Sequence, residues 1–213
     1  AIDNIYRHQI SLASSIHFTT TNESLIKVQQ LIGNSKFIYN VGSLSLNDIA
    51  SFQPMDKSTL FNNFNIKNKP FILATFHPET VSVKYNSVYA KQMSRAISTL
   101  SKSINVVVTM PNADTLGSIY RKELYELREN NPDAVLLVEN FGKVNYFNAM
   151  HYASILIGNT SSGIIEAASF NKYVINIGNR QKGRIQSLNI INTPFDSDII
   201  IRQTLSLISK GAF

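Results

Sequence analysis

From residue 70 onward, short apolar runs recur along the chain: FILATF (71–76), INVVVTM (104–110), AVLLVEN (134–140), SILIG (154–158) and YVINIG (173–178). None has a helical period, and each is bounded by glycine, proline or polar residues, which is the pattern of a buried strand. Between them, helical spacing runs at about 84–101, 115–130, 144–153 and 161–171. A last helix is expected from 196 to 209, carrying Ile199, Ile200, Leu205 and Ile208. Continuously apolar strands alternating with helices predict an α/β fold with a doubly wound parallel sheet, covered on both faces.

Before residue 70 the pattern changes. Residues 2–14 read as a helix with Ile5, Ile10, Leu12 and Ala13 near one face, and SIHFTT (15–20) alternates like a strand. Asn22 is placed to cap a helix carrying Leu25, Ile26, Val28, Leu31 and Ile32. KFIYNVG (36–42) reads as a second strand and LNDIASF as a short helix. Residues 52–69 are polar, rich in Asn and Lys, and carry Pro54. They suggest a linker over 51–69, with Leu60, Phe61 and Phe64 as a candidate short helix, dividing the chain into 1–50 and 70–213.

Nearly every unusual polar group in the second part lies just past a strand's C-terminal end. His77 and Pro78 follow the first apolar run, Pro111, Asn112 and Asp114 the second, and Asn140 and Phe141 the third. Asn159, Thr160, Ser161 and Ser162 follow the fourth, and Arg180, Lys182 and Arg184 the fifth. Ligands of doubly wound folds bind in the crevice outside those strand ends. The four small polar residues read as N-cap chemistry, which leaves backbone N–H groups free to face an anion. The cationic loop beside them suits a diphosphate.

Composition narrows the ligand. A hydrophobic content of 44% with 16% charged residues describes a core-forming chain. Its net charge of +6 comes from scattered Lys and Arg rather than a basic run, which favours an acidic small molecule over nucleic acid. No apolar run approaches the roughly 20 residues of a membrane span, so no membrane partner is expected. Zero cysteines fit a cytoplasmic location. The opening AIDNIYRHQI has neither an initiator Met nor a signal-peptide pattern, which suggests a piece of a longer chain.

Individual residues leave alternatives open. His77, in HPET, suits ligand contact or proton transfer, or equally a hydrogen-bonded structural role. Glu166 offers two acceptor oxygens to a ribose diol, or serves as a solvated helix carboxylate. Asn112 and Asp114 suit a sugar, though PNAD is also a turn sequence. Phe141 suits stacking on a base or burial in the core. His8, His17, His77 and His151 lack metal-ligand spacing, and neither a dinucleotide fingerprint nor a P-loop is present.

Six segments, RHQISLASSIHF, FHPET, PNAD, FGKVNYFNAM, GNTSSGIIEAASF and VINIGNRQKGR, run in order from Arg7 to Arg184. Together they resemble the C-terminal half of the hydrolysing UDP-N-acetylglucosamine 2-epimerases. That resemblance implies a glycosyltransferase-B-like architecture of two domains, with a Rossmann-like C-terminal domain and UDP in the cleft. Residues 1–50 would be the tail of the N-terminal domain and 70–213 the nucleotide-sugar-binding domain. By position Ser161 and Ser162 would hold phosphate, Glu166 the ribose and Arg180 the diphosphate. Asn112 would lie near the sugar, the Asn140–Phe141 segment near the base, and His77 near the diphosphate with a catalytic part.

The family reaction removes the C2 proton, expels UDP to give a glycal and adds water to yield N-acetylmannosamine, in sialic-acid-type biosynthesis. It implies no cofactor and no metal. Its principal carboxylates belong to a part of the family sequence outside this chain, so little or no turnover is expected from these 213 residues. A homo-oligomer, dimer or tetramer, is implied for the full-length protein, as is a closing helix beyond Phe213. Two other readings share these residues: a 2-epimerase for a related diacetamido sugar, GDP-linked in one variant, and a glycosyltransferase of the same fold.

Overall fold

A computed structural model describes residues 2–80, 82–111 and 116–213. They form two compact units, 1–52 and 53–213. In the first, helix α1 (Ile2–Ala13), strand β1 (His17–Thr19), α2 (Asn22–Ile32), β2 (Ile38–Asn40) and α3 (Leu44–Ala50) follow one another, with β1 and β2 paired in parallel. The residue that caps α2 is Thr21, not Asn22: its hydroxyl accepts from the Ser24 N–H at 3.1 Å. Gly33, in the left-handed conformation at φ 73°, ends the helix.

The second unit opens with α4 (Lys57–Phe64), capped by Asp56. The stretch expected as a linker over 51–69 thus carries the candidate short helix. Leu60 and Phe61 are buried, and the Phe61 ring meets Phe71 and Tyr152 edge-on. The Met55 N–H donates to Asn148 Oδ1 at 2.8 Å. Apolar side chains among the polar ones bind this stretch to the second unit.

A six-stranded sheet follows: β3 (Phe71–Thr75), β4 (Asn105–Thr109), β5 (Val135–Val138), β6 (Ile155–Gly158), β7 (Val174–Ile177) and β8 (Ile190–Thr193). Every pairing is parallel and the spatial order is β5-β4-β3-β6-β7-β8. β8 was not expected; its IINT sequence is brief and only partly buried. The helices are α5 (Asn86–Leu100), α6 (Gly117–Asn130), α7 (Gly142–Tyr152), the five-residue α8 (Ser161–Ile165) and α9 (Ser197–Lys210).

Residues two apart on a strand share a face, and both faces of this sheet are used. Ile72, Ala74, Val106, Val108, Ile155, Ile157 and Ile175 pack with Met93, Ile97, Leu124 and Ile200 from α5, α6 and α9. The alternate positions Phe71 and Thr75 meet Phe61 of α4 and Tyr146 of α7. This is the doubly wound, Rossmann-like sheet that the strand–helix pattern predicts. Its order reverses between β3 and β6, because the chain winds outward from β3 to β5 and then returns to start β6 beside β3. At such a switch point the loops diverge and leave a crevice.

Candidate functional site

The crevice begins where the strand ends are tied together. Asn159 is fully buried one residue past β6. Its Oδ1 accepts from the His77 N–H at 2.7 Å, and its Nδ2 donates to the His77 carbonyl at 2.8 Å. The Asn159 N–H donates to the Thr75 carbonyl at 3.1 Å. Gly158 makes that approach possible: at φ 137° an added Cβ would lie 1.9 Å from the Thr75 oxygen. Asn159 therefore joins two strands rather than capping α8, a role that falls to Thr160, whose hydroxyl accepts from the Ser162 N–H at 3.4 Å.

The helix expected over 161–171 is shorter than its pattern suggested. α8 stops at Ile165, and Ala167–Phe170 continues as a 3₁₀ turn closed by Asn171 at φ 53°. Gly163 fits against β7, where an added Cβ would come within 3.1 Å of Val174 Cγ1. Glu166 falls at the break between the two turns. It is 8% exposed and its Oε2 is buried without a hydrogen-bond partner. A buried carboxylate oxygen left unsatisfied is costly, and two hydroxyl donors would satisfy it.

Two cavities of about 420 and 410 Å³ adjoin at the strand ends. Thr75, His77, Pro111, Glu139 and Thr160 line the first; Phe141, Lys143, Ser162 and Glu166 line the second; Thr109, Asn140 and Tyr146 line both. The Tyr146 hydroxyl reaches Thr75 Oγ1 at 3.4 Å and also bonds Ser162. Burial, with the Glu166 carboxylate nearby, pushes this phenol up to about 12. It therefore stays protonated, with a proton to donate. On the far wall Arg121 grips Glu139 with two bonds of 2.8 and 2.9 Å and also donates to the Pro111 carbonyl. That bidentate contact holds the Glu139 carboxyl below the usual carboxylate range.

The cationic loop closes the site from the β7 side. Arg180 donates to the Asn159 carbonyl at 3.3 Å, and the buried Gln181 donates to the same oxygen at 2.7 Å. The backbone of Asn179 and Arg180 is held in turn by Glu79: its Oε1 accepts from both N–H groups, at 2.8 and 3.0 Å.

His77, Asn140, Ser162 and Glu166 thus line the adjoining cavities, Ser161 opens α8, and Arg180 is tied to Asn159 beside them. Asn112 and Asp114 lie outside the described residues. Of the two readings of Phe141, burial in the core matches its surroundings. It is 3% exposed and its ring packs 4.6 Å from that of Phe64, so it contributes to the wall as a core residue. Asn140 turns its side chain onto its own loop, accepting from the Gly142 N–H at 2.7 Å. Sequence reasoning missed Glu79, Tyr146 and Arg121. Glu79 carries a signal, since it stands two residues after His77 in the same strand-end motif; Tyr146 and Arg121 lie within helices and carry none.

The sequence matches the UDP-N-acetylglucosamine 2-epimerase family over residues 1–212. A GDP/UDP-N,N'-diacetylbacillosamine 2-epimerase (hydrolyzing) of Campylobacter jejuni is 34% identical over 194 residues, 91% of this chain and 50% of that protein. Polysialic acid biosynthesis protein P7 of Escherichia coli is 32% identical over 202 residues, 94% of this chain and 51% of that protein. The chain spans about half the length of these curated relatives. Among solved structures, the UDP-GlcNAc 2-epimerase of Neisseria meningitidis bound to UDP-GlcNAc shares the fold with a TM-score of 0.71 at 18% identity, over 93% of this chain and 54% of that one. A family match running from residue 1 to residue 212 accompanies the shared fold, and this chain belongs to the UDP-N-acetylglucosamine 2-epimerase family.

Proposed function

We propose that this chain is the nucleotide-sugar-binding half of a hydrolysing 2-epimerase that converts UDP-N-acetylglucosamine to N-acetylmannosamine and UDP. Residues 53–213 are then the UDP-binding domain, and 1–52 the end of the domain that precedes it. The observation that carries this reading is the buried Oε2 of Glu166, which has no hydrogen-bond partner, beside a cavity at the switch point. It accepts the two ribose hydroxyls. Ser161, Ser162 and the N–H groups that open α8 hold phosphate oxygens, with Arg180 and His77 beside them.

Such an arrangement acts on the leaving group. Loss of the C2 proton and cleavage of the C1–O bond release UDP and leave a glycal. Water then adds, with its oxygen bonding C1 and a proton returning to C2 on the opposite face. Negative charge grows on the departing diphosphate, where Arg180 and preorganised N–H donors lower the barrier. The proton transfers at C2 fall to carboxylates of the family sequence outside this chain, so little or no turnover is expected from the 213 residues alone. The similarity to P7 supports a sialic-acid-type pathway. The Campylobacter relative, whose name includes both GDP and UDP, supports a second reading, in which the substrate is a diacetamido sugar on either nucleotide.

Calorimetry with UDP and GDP tests both. Selective UDP binding, weakened by about 1.5–3 kcal/mol in Glu166→Ala and again in Arg180→Ala, supports the UDP site and leaves the sugar to turnover assays of the full-length enzyme. A GDP preference selects the second. Unaltered affinity in both variants overturns the site.

A further inference from the structure

We infer that Glu79 is the positioning residue of the diphosphate site: its buried carboxylate fixes the backbone of the cationic loop so that Arg180 is held ready at the end of β6. This inference rests on the reading proposed above, and assigns a residue to which that reading gives no part.

Glu79 is 2% exposed, and a single oxygen, Oε1, takes the N–H groups of both Asn179 and Arg180. Charge-assisted bonds of this kind, enclosed away from water, are stronger than neutral ones. Glu79 is itself immobilised. Its N–H donates to Asn86 Oδ1 at 2.9 Å, its carbonyl accepts from Asn86 Nδ2 at 3.0 Å, and the Tyr120 hydroxyl donates to the same Asn86 oxygen at 3.3 Å. The loop runs close against this carboxylate and the Phe195 ring. At Gly178, φ 78°, an added Cβ would stand 2.5 Å from Glu79 Oε1.

The consequence falls on Arg180. Its side chain reaches the Asn159 carbonyl while its backbone is anchored across the crevice by Glu79. An arginine on an unanchored loop must be ordered when the ligand arrives, at a cost in affinity that anchoring removes. Glu79 therefore acts on the diphosphate without touching it, and the ligand class it serves is the phosphate-bearing part of a nucleotide rather than its base or ribose.

Hydrogen exchange and calorimetry on wild type, Glu79→Gln, Glu79→Ala, Arg180→Ala and the Glu79→Ala/Arg180→Ala double variant test this. Glu79→Ala should speed exchange at the amides of Asn179 and Arg180, while Glu79→Gln, which keeps a carbonyl acceptor, should protect them. Glu79→Ala should weaken UDP roughly tenfold while uridine, without phosphates, changes less than about twofold. Adding Glu79→Ala to Arg180→Ala should then cost nothing further. Equal losses for UDP and uridine would mark a merely structural role and overturn the inference. So would additive losses for Glu79 and Arg180, or unchanged exchange at residues 179 and 180. If wild type bound neither UDP nor uridine, the proposed function would fall, while the exchange comparison would still decide whether Glu79 sets the loop.

Discussion

Asn159 and His77 are bound to each other twice, side-chain amide to backbone, in the manner of two strands continuing their ladder: Oδ1 to N–H at 2.7 Å and Nδ2 to carbonyl at 2.8 Å. The pair extends β3 and β6 past their ends and sets the floor of the crevice at the switch point. Only an amide offers both a donor and an acceptor in that spacing. Asn159→Asp replaces the donor with a second acceptor facing the His77 carbonyl, and Asn159→Ala strands two backbone groups. Each is expected to cost about 1–3 kcal/mol per group left unpaired, with Asp the worse of the two near neutral pH. Urea denaturation of both variants checks this, and wild-type midpoints in either would refute it.

Two glycines with positive φ predict opposite outcomes. At Gly158, φ 137°, a Cβ would collide with the Thr75 carbonyl at 1.9 Å, and the obstacle is backbone in the centre of the sheet. At Gly183, φ 86°, nothing lies within 4 Å. Gly158→Ala should abolish the folded state or destabilise it by more than about 4 kcal/mol. Gly183→Ala should cost only the intrinsic penalty of the left-handed region, about 1–2 kcal/mol. Thermal melts of the pair compare a steric cause with a conformational one in a single chain.

The strands were legible because a sheet covered on both faces demands continuous apolar runs, and five of its six strands carry them. β8 escaped because only Ile190 and Thr193 of its four residues are buried and Asn192 interrupts the run. The site was legible at the level of loops, since polar residues after an apolar run must lie at strand ends. It was not legible at the level of side chains. Phe141 reads the same whether it faces a base or Phe64, and Asn159 reads as a cap until His77, 82 residues earlier in the chain, is brought beside it. Helix α8 ends at Ile165 and the chain tightens into a 3₁₀ turn after Glu166, a change that the apolar spacing of 161–171 does not carry.

The 51–69 stretch leads to a truncation experiment. Composition marks it as a linker, yet Leu60 is wholly buried and Phe61 contacts both Phe71 and Tyr152. A shortened chain of residues 53–213 should melt in one cooperative transition. One beginning at residue 70 should lose cooperativity, because Phe71, Tyr152 and the Asn148 amide lose their cover. In the intact chain Leu60→Ala should cost about 2–5 kcal/mol, the range for a large side chain removed from a core. Equal cooperativity in the two shortened chains would return the stretch to the role of a linker.

Tyr146 sets a limit on the alkaline side. Its phenol, ordinarily near 10, is pushed up to about 12 first by burial and then by Glu166, against the opposing bonds to Thr75 and Ser162. The unfolded chain releases this proton near 10 and the folded chain holds it until about 12. Between those values the unfolded state binds fewer protons, so stability must fall as pH rises. The contribution is fully present below pH 10 and is lost as pH climbs through that window. Tyr146→Phe removes the titrating group and should flatten this part of the decline, while costing about 1 kcal/mol at neutral pH through the lost hydrogen bonds. Urea melts at intervals from pH 9 to 12 check the sign, and a wild-type slope in Tyr146→Phe would show that the phenol does not hold its proton as this environment requires.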